Sequence, residues 1–169
     1  MKRQKETIGS IVELILENGK YAYAQLLENG TAFFDYLAPT SLKDFSVLEG
    51  RGILFIVAIY KDVITHGHWL KVGKLPIRKE LEILPLKFIQ DAIHPDQFEL
   101  YDPNSGKTTS VSKEECRGLE RASVWDQHHI EDRIRDYYEG NPCLWLKKDY
   151  ELWGENDKVQ WLIKHYALK

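Results

Sequence analysis

The sequence predicts an α+β fold, mostly β: a strongly bent antiparallel sheet or small barrel with one packed helix from the C-terminal half. Three stretches carry this expectation. Residues 9–36 read as a three-stranded meander, residues 53–60 as a buried strand and residues 126–139 as an amphipathic helix.

The meander GSIVELIL-ENGK-YAYAQLL-ENGT-AFFDY has two turns, each carrying Glu-Asn-Gly. Asn-Gly between apolar runs is a hairpin signal, because both residues tolerate the positive φ that the primed turns require. Alternation puts Ile11, Glu13 and Ile15 on one side and Val12, Leu14 and Leu16 on the other. Tyr21, Tyr23 and Gln25 likewise oppose Ala22, Ala24 and Leu26. A meander of this kind buries one face and exposes one, so later chain must cover the apolar side.

ILFIVAIY at 53–60 is continuous in apolar and β-favouring residues. It suits a central strand covered on both faces, and it is too short for a buried helix. HWLKVGKLPI at 68–77 reads as a further strand whose Gly73 and Pro76 demand a bulge or a sheet edge. Residues 85–93 read as a loop or a brief helical turn. QFELY and KTTSV flank the turn residues DPNSG, which gives a hairpin. Ser112 with Glu115 three residues on suggests a capped helical turn, and residues 118–123 a possible further strand.

In the helix, Ile130, Ile134 and Tyr137 recur at four- and three-residue steps and make one face. Asp126 is the expected N-cap, Trp125 and Ile130 a hydrophobic staple, and Gly140 the C′ residue. A last helix is expected over about 157–166. These elements place one domain at 1–140 and a C-terminal extension at 141–169, docked on that domain.

The 169 residues, 43% of them hydrophobic, suffice for one proper core. A net charge of -3 removes the basic excess that nucleic-acid binding favours, without excluding a local patch. Cys116 and Cys143 are too few for a disulfide framework and match no zinc spacing. The N-terminal MKRQKETIGS lacks a signal peptide's apolar run, and no segment is long enough to span a bilayer, so a cytoplasmic protein is expected.

Chemistry-bearing patterns are sparse. His66 and His68 flank Gly67, and His128-His129 open the helix, but adjacent helical positions point apart and cannot share one ion. Neither cysteine sits in a nucleophile motif, and the glycines at 50, 52 and 73 do not form a phosphate loop. No catalytic residue, cofactor or metal ligand is therefore assigned. Tyr21, Tyr23, Phe33, Phe34 and Tyr36 would suit a stacking platform for single-stranded nucleic acid, yet only Lys20 interleaves them. Core packing is the simpler reading. A nucleic-acid-binding β-barrel stands second among the functions, and a hydrolase using histidines or acids beside the sheet third.

In their succession, GSIVELILENGKYAYAQLL, FFDY, ILFIVAIY, HWLKVGKLPI, QFELYD and SVWDQHHIEDRIRDYYEG resemble the immunity protein 26 family of bacterial polymorphic toxin systems, over roughly residues 7–140. The resemblance implies a small non-catalytic protein that binds and neutralises the cognate toxin domain of a secreted bacterial protein, with nucleases common among such toxins. It supplies no functional residues, so partner-binding candidates rest on anchor chemistry: Asp35, Tyr36, Trp69, Trp125 and Arg133, with Trp69 the most core-like. Asp126, Glu131, Asp132, Asp136 and Glu139 would face a basic cleft, or else form an ordinary solvated helix face with Arg133 and Arg135.

Overall fold

A computed structural model describes residues 3–154; the helix expected at 157–166 lies outside them. Ten strands form two open sheets rather than a closed barrel. The first holds β1 (Ser10–Ile15), β2 (Tyr21–Leu26), β3 (Thr31–Ala38), β4 (Ile53–Ile59), β5 (Leu70–Lys74) and the two-residue β10 (Val124–Trp125). Its order is β10-β4-β3-β2-β1-β5, antiparallel except where β10 joins β4. The second, β8-β7-β6-β9, holds β6 (Lys87–Gln90), β7 (Phe98–Tyr101), β8 (Thr108–Val111) and β9 (Glu120–Arg121). Three α-helices lie among the described residues: α1 (Asp62–Thr65), α2 (Gln127–Glu139) and α3 (Lys147–Trp153).

The meander is present, but its turns close differently from the expectation. No non-glycine among the described residues has positive φ, so neither turn is of the two-residue primed type. The first is a three-residue loop in which the Gly19 N–H donates to the Leu16 carbonyl and Gly19 takes φ +76°. In the second, the Leu27 N–H donates to the Gly30 carbonyl at 2.9 Å. Gly30 serves close approach instead, because a Cβ there would sit 3.2 Å from Leu84 and 3.3 Å from Ile56.

Both faces of the first sheet are covered, where one was expected to be open. Val12, Leu14, Ala22, Ala24 and Leu26 pack with Trp125, Ile130 and Ile134 on one side. Ile11, Tyr23, Phe34, Ile53 and Ile56 pack on the other with Leu48 and Leu81 from short 3-10 turns and Leu84 from a loop. The polar residues of this second face are satisfied internally. Gln25 donates its amide to the Leu75 carbonyl at 2.8 Å. The Tyr23 hydroxyl donates to Glu13 and accepts from the Leu42 N–H, both at 2.8 Å. Tyr23, Phe33 and Phe34 are thus core residues, and the meander offers no stacking platform.

Other elements follow the sequence closely. Ile53 to Val57 of β4 are all buried, as a strand covered on both sides should be. β5 is a sheet edge with an irregular register opposite β1, and a Cβ at Gly73 would stand 2.6 Å from the Phe45 ring. In α2 the Asp126 carboxylate accepts from the His129 N–H at 3.0 Å, and Gly140 ends the helix at φ +71°. Where a loop or helical turn was expected at 85–93, β6 forms. It runs parallel to β9 and antiparallel to β7, and begins two residues after Pro85. Beyond 140, Cys143, Leu146 and Tyr150 enter the main core, while Trp153 packs edge-on against Phe88 at 5.7 Å.

A buried ionic link joins the sheets to α2. Lys87 Nζ donates to the Ile56 carbonyl at 2.6 Å and to Glu120 at 2.8 Å, and Arg133 donates to the other Glu120 oxygen at 2.7 Å. Burial alone would raise the Glu120 carboxyl, but Arg133 and Lys87 outweigh it and hold it below the ordinary range. Removing one member of such a link strands the others in a poor solvent.

Glu120→Gln is therefore expected to lower the unfolding free energy by about 3–5 kcal/mol, read from urea denaturation. An unchanged midpoint would show that the link carries no weight. Tyr23 gives a pH-dependent signature. Its phenol is pushed up to about 12, chiefly by burial and in part by Glu13. A raised folded-state value means stability present below the unfolded phenol's pKa near 10 and lost as pH rises through the folded one. Thermal melts between pH 9 and 12 should fall less steeply for Tyr23→Phe than for the native chain. At pH 7 the variant should be about 1 kcal/mol less stable, from the lost hydrogen bonds.

Candidate partner-binding surface

Of the five residues expected to touch a partner, three lie in the interior. Trp69 is 1% exposed, with its ring edge-on to Phe33 at 5.8 Å and its Nε1 donating to Glu131 at 2.9 Å. Trp125 is 7% exposed, packed as the staple ahead of α2. Arg133 is 1% exposed, its guanidinium 3.8 Å from the Phe55 ring centre and 4.8 Å from that of Trp125. In these three the aromatic and arginine chemistry serves packing within the chain. Arg133 falls three residues after Ile130, on the helix face that turns inward.

Asp35 and Tyr36 do reach the surface, in the second half of β3. The backbone N–H of Asp35 donates to the Gly52 carbonyl at 2.8 Å, which tethers the strand to the approach to β4. The Asp35 carboxylate accepts a hydrogen bond from the Tyr138 hydroxyl at 2.7 Å. Desolvation and then that hydrogen bond push the Tyr138 phenol upward, so it stays a donor at neutral pH. The Arg51 guanidinium lies 4.7 Å over the Tyr36 ring, and Tyr137 meets Tyr138 edge-on at 5.2 Å. Asp35 with Tyr138, on the α2 side of the sheet, and Tyr36 with Arg51, on the other side, thus form two surface pairs at the end of β3.

Two of these four escaped the sequence reading. Tyr138 had a signal: its neighbour Tyr137 belongs to the buried stripe, so the next position, about 100° round the helix, turns outward. Arg51, between two glycines, had none.

The acidic residues of α2 are largely engaged by the protein's own groups. Asp126 caps the helix, and Glu131 accepts from Trp69 and Gln127. Asp132 accepts from Arg135 and from Trp145 Nε1, while Asp136 accepts from Arg135. The helix is thus closer to an ordinary mixed-charge face than to an open acidic patch.

The remaining candidates offer little chemistry. Cys116 and Cys143 are buried, and that burial pushes both thiols up, away from the thiolate. His129 stacks on Trp145 at 3.5 Å while His128 faces solvent, and the His66 and His68 rings stand 6.4 Å apart. No group of three histidine, cysteine or acidic residues among the described residues is placed to hold a metal ion. No helix among them is long and apolar enough to cross a membrane.

A partly open pocket lies at the opposite end of β3. A pocket of about 300 Å³ is walled by Ile56, Val57 and Ala58 of β4, by Tyr101 of β7 and by residues 121–124, with Lys87 also lining it.

No curated protein and no solved structure matches the chain. The family model for immunity protein 26 matches residues 7–99, just over half of the sequence. The matched span runs from the segment before β1 into β7 and contains Asp35, Tyr36 and Arg51. With that match the chain belongs to the immunity protein 26 family.

Proposed function

We propose that this protein binds and neutralises a cognate toxin domain of a secreted bacterial protein, acting in the cytoplasm of the producing cell without catalysis. Family membership supports the toxin partner. Among surface features, the two ordered pairs Asp35–Tyr138 and Tyr36–Arg51 are the observation that carries the mode of action. Tyrosine and arginine are enriched among the residues that dominate interface energies. Here they are held in place before any partner arrives, by the Tyr138–Asp35 hydrogen bond and the Arg51–Tyr36 stack. Ordering them in advance reduces the entropy that association would otherwise cost.

Inhibition of this kind needs a surface that covers the toxin's site, and turnover plays no part. A nuclease is a suitable target, because a phosphate-binding cleft is basic while this chain carries a net charge of -3 and presents the Asp35 carboxylate. Residues 1–140 supply the binding domain, and the extension from 141 strengthens its core.

The test is co-expression with the C-terminal toxin domain encoded beside the gene, followed by size exclusion and titration of the purified pair. The native chain should restore growth and co-elute with the toxin. Tyr36→Ala and Tyr138→Ala should each weaken binding by about 10- to 100-fold while melting within a few degrees of the native protein. Asp35→Asn should mainly slow association, with a smaller response to salt. Growth that is not rescued, with no complex formed, would overturn the reading for that pair. Undiminished affinity in both tyrosine variants would move the interface elsewhere.

A further inference from the structure

The pocket at the Asn29 end of β3 lies away from the two surface pairs just described, and nothing in toxin binding requires it. Its walls are mostly apolar, and its size falls at the lower end of the range for small-molecule sites. Its polar groups are few and specific. The side chains of Asn29, Tyr101 and Ser123 line it and make no hydrogen bond among the described residues. Lys87 lines it as well. Its ammonium carries three protons, of which the Ile56 carbonyl and Glu120 take two, leaving one donor for an occupant.

The charges on the lining have one sign. Lys87 and Arg121 are basic, and no described lining residue is acidic. Arg121 turns its guanidinium to Asp149 at 2.7 Å and Gln90 at 3.1 Å, so the ionic contact available is that of Lys87. An occupant that matches these walls has an apolar body and an oxygen-rich anionic head. A carboxylate accepts from an ammonium in a charge-assisted hydrogen bond, roughly twice as strong as a neutral one. We propose that the pocket is a binding site for a small free aliphatic carboxylate, its chain against Ala58 and Val124 and its head on Lys87, with the Tyr101 and Ser123 hydroxyls as further donors.

The experiment uses the full chain, labelled with 15N and titrated with acetate, butanoate, hexanoate and 1-hexanol. Saturable amide shifts confined to the neighbourhood of Asn29, Ala58, Tyr101 and residues 122–124 are expected. Affinity should rise about fourfold per added methylene until the pocket is full. Hexanol should bind at least about tenfold more weakly than hexanoate. Val124→Trp places an indole at the half-exposed rim without entering the core, and it should abolish the shifts while leaving the rest of the spectrum intact. Lys87→Met should bind acid and alcohol alike. If that variant does not fold, the comparison of acid with alcohol on the native chain decides the head group alone. Absence of saturation, shifts elsewhere in the fold, equal binding of acid and alcohol by the native chain, or undiminished binding by Val124→Trp would each overturn the proposal. Toxin binding should survive Val124→Trp, so the two readings fail separately.

Discussion

The relative placement of the two sheets and α2 depends on one buried carboxylate. Glu120 on β9 faces Lys87 on β6 and Arg133 on α2, and Lys87 also reaches the Ile56 carbonyl of β4. Apolar packing is strong but nearly indifferent to small displacements, whereas these bonds have direction and a short range. In a low-dielectric interior they are costly to misalign. Their main contribution is position rather than net stability, since a well-packed apolar replacement is often as stable. Position matters here because Tyr138 lies five residues beyond Arg133 on the same helix. A helix free to slide would not keep the Tyr138 hydroxyl at 2.7 Å from Asp35.

Much of the fold was legible because alternation and capping are local. The strands of the meander, the buried run of β4, the edge character of β5 and both ends of α2 follow from residues within a few positions of one another. The covering of the second face of the sheet was not legible. Period-two alternation reveals which residues share a face, but not whether something distant lies over it. Here the cover comes from Leu42, Phe45, Leu48, Leu81 and Leu84, which lie in segments with no repeating pattern. β6 was hidden for a related reason. It is four residues long and follows a proline, so only its partners β7 and β9 establish it.

The same limit explains the mixed outcome for the candidate surface. Tryptophan and arginine suit an interface anchor and an interior contact equally well, because both have large area and a polar handle. Only burial separates the roles, and burial is a property of the assembled chain. Trp69 fills the core under Glu131, and Arg133 lies between two aromatic rings. Asp35 and Tyr36 fall where β3 runs out towards solvent, which leaves them accessible.

The family match ends at residue 99, inside β7, while the two surface pairs draw on both sides of that boundary. Asp35 and Tyr36 of β3 and Arg51 of the lead into β4 belong to the matched span, and Tyr138 belongs to a helix outside it. Under the proposed function, such a division separates a sheet that acts as scaffold from a helix that completes the surface. The sheet fixes a strand end and a tethered arginine, and the helix contributes one phenol whose position is set by Glu120 through Arg133. A substitution at 138 changes the surface without disturbing either core, because that side chain leaves the buried stripe of α2. A substitution at 133 would instead alter the angle at which every later residue of the helix meets the sheet. Under the proposed function, variation in partner choice is therefore cheapest on the outward face of α2, and it is most constrained where the buried carboxylate holds the helix down.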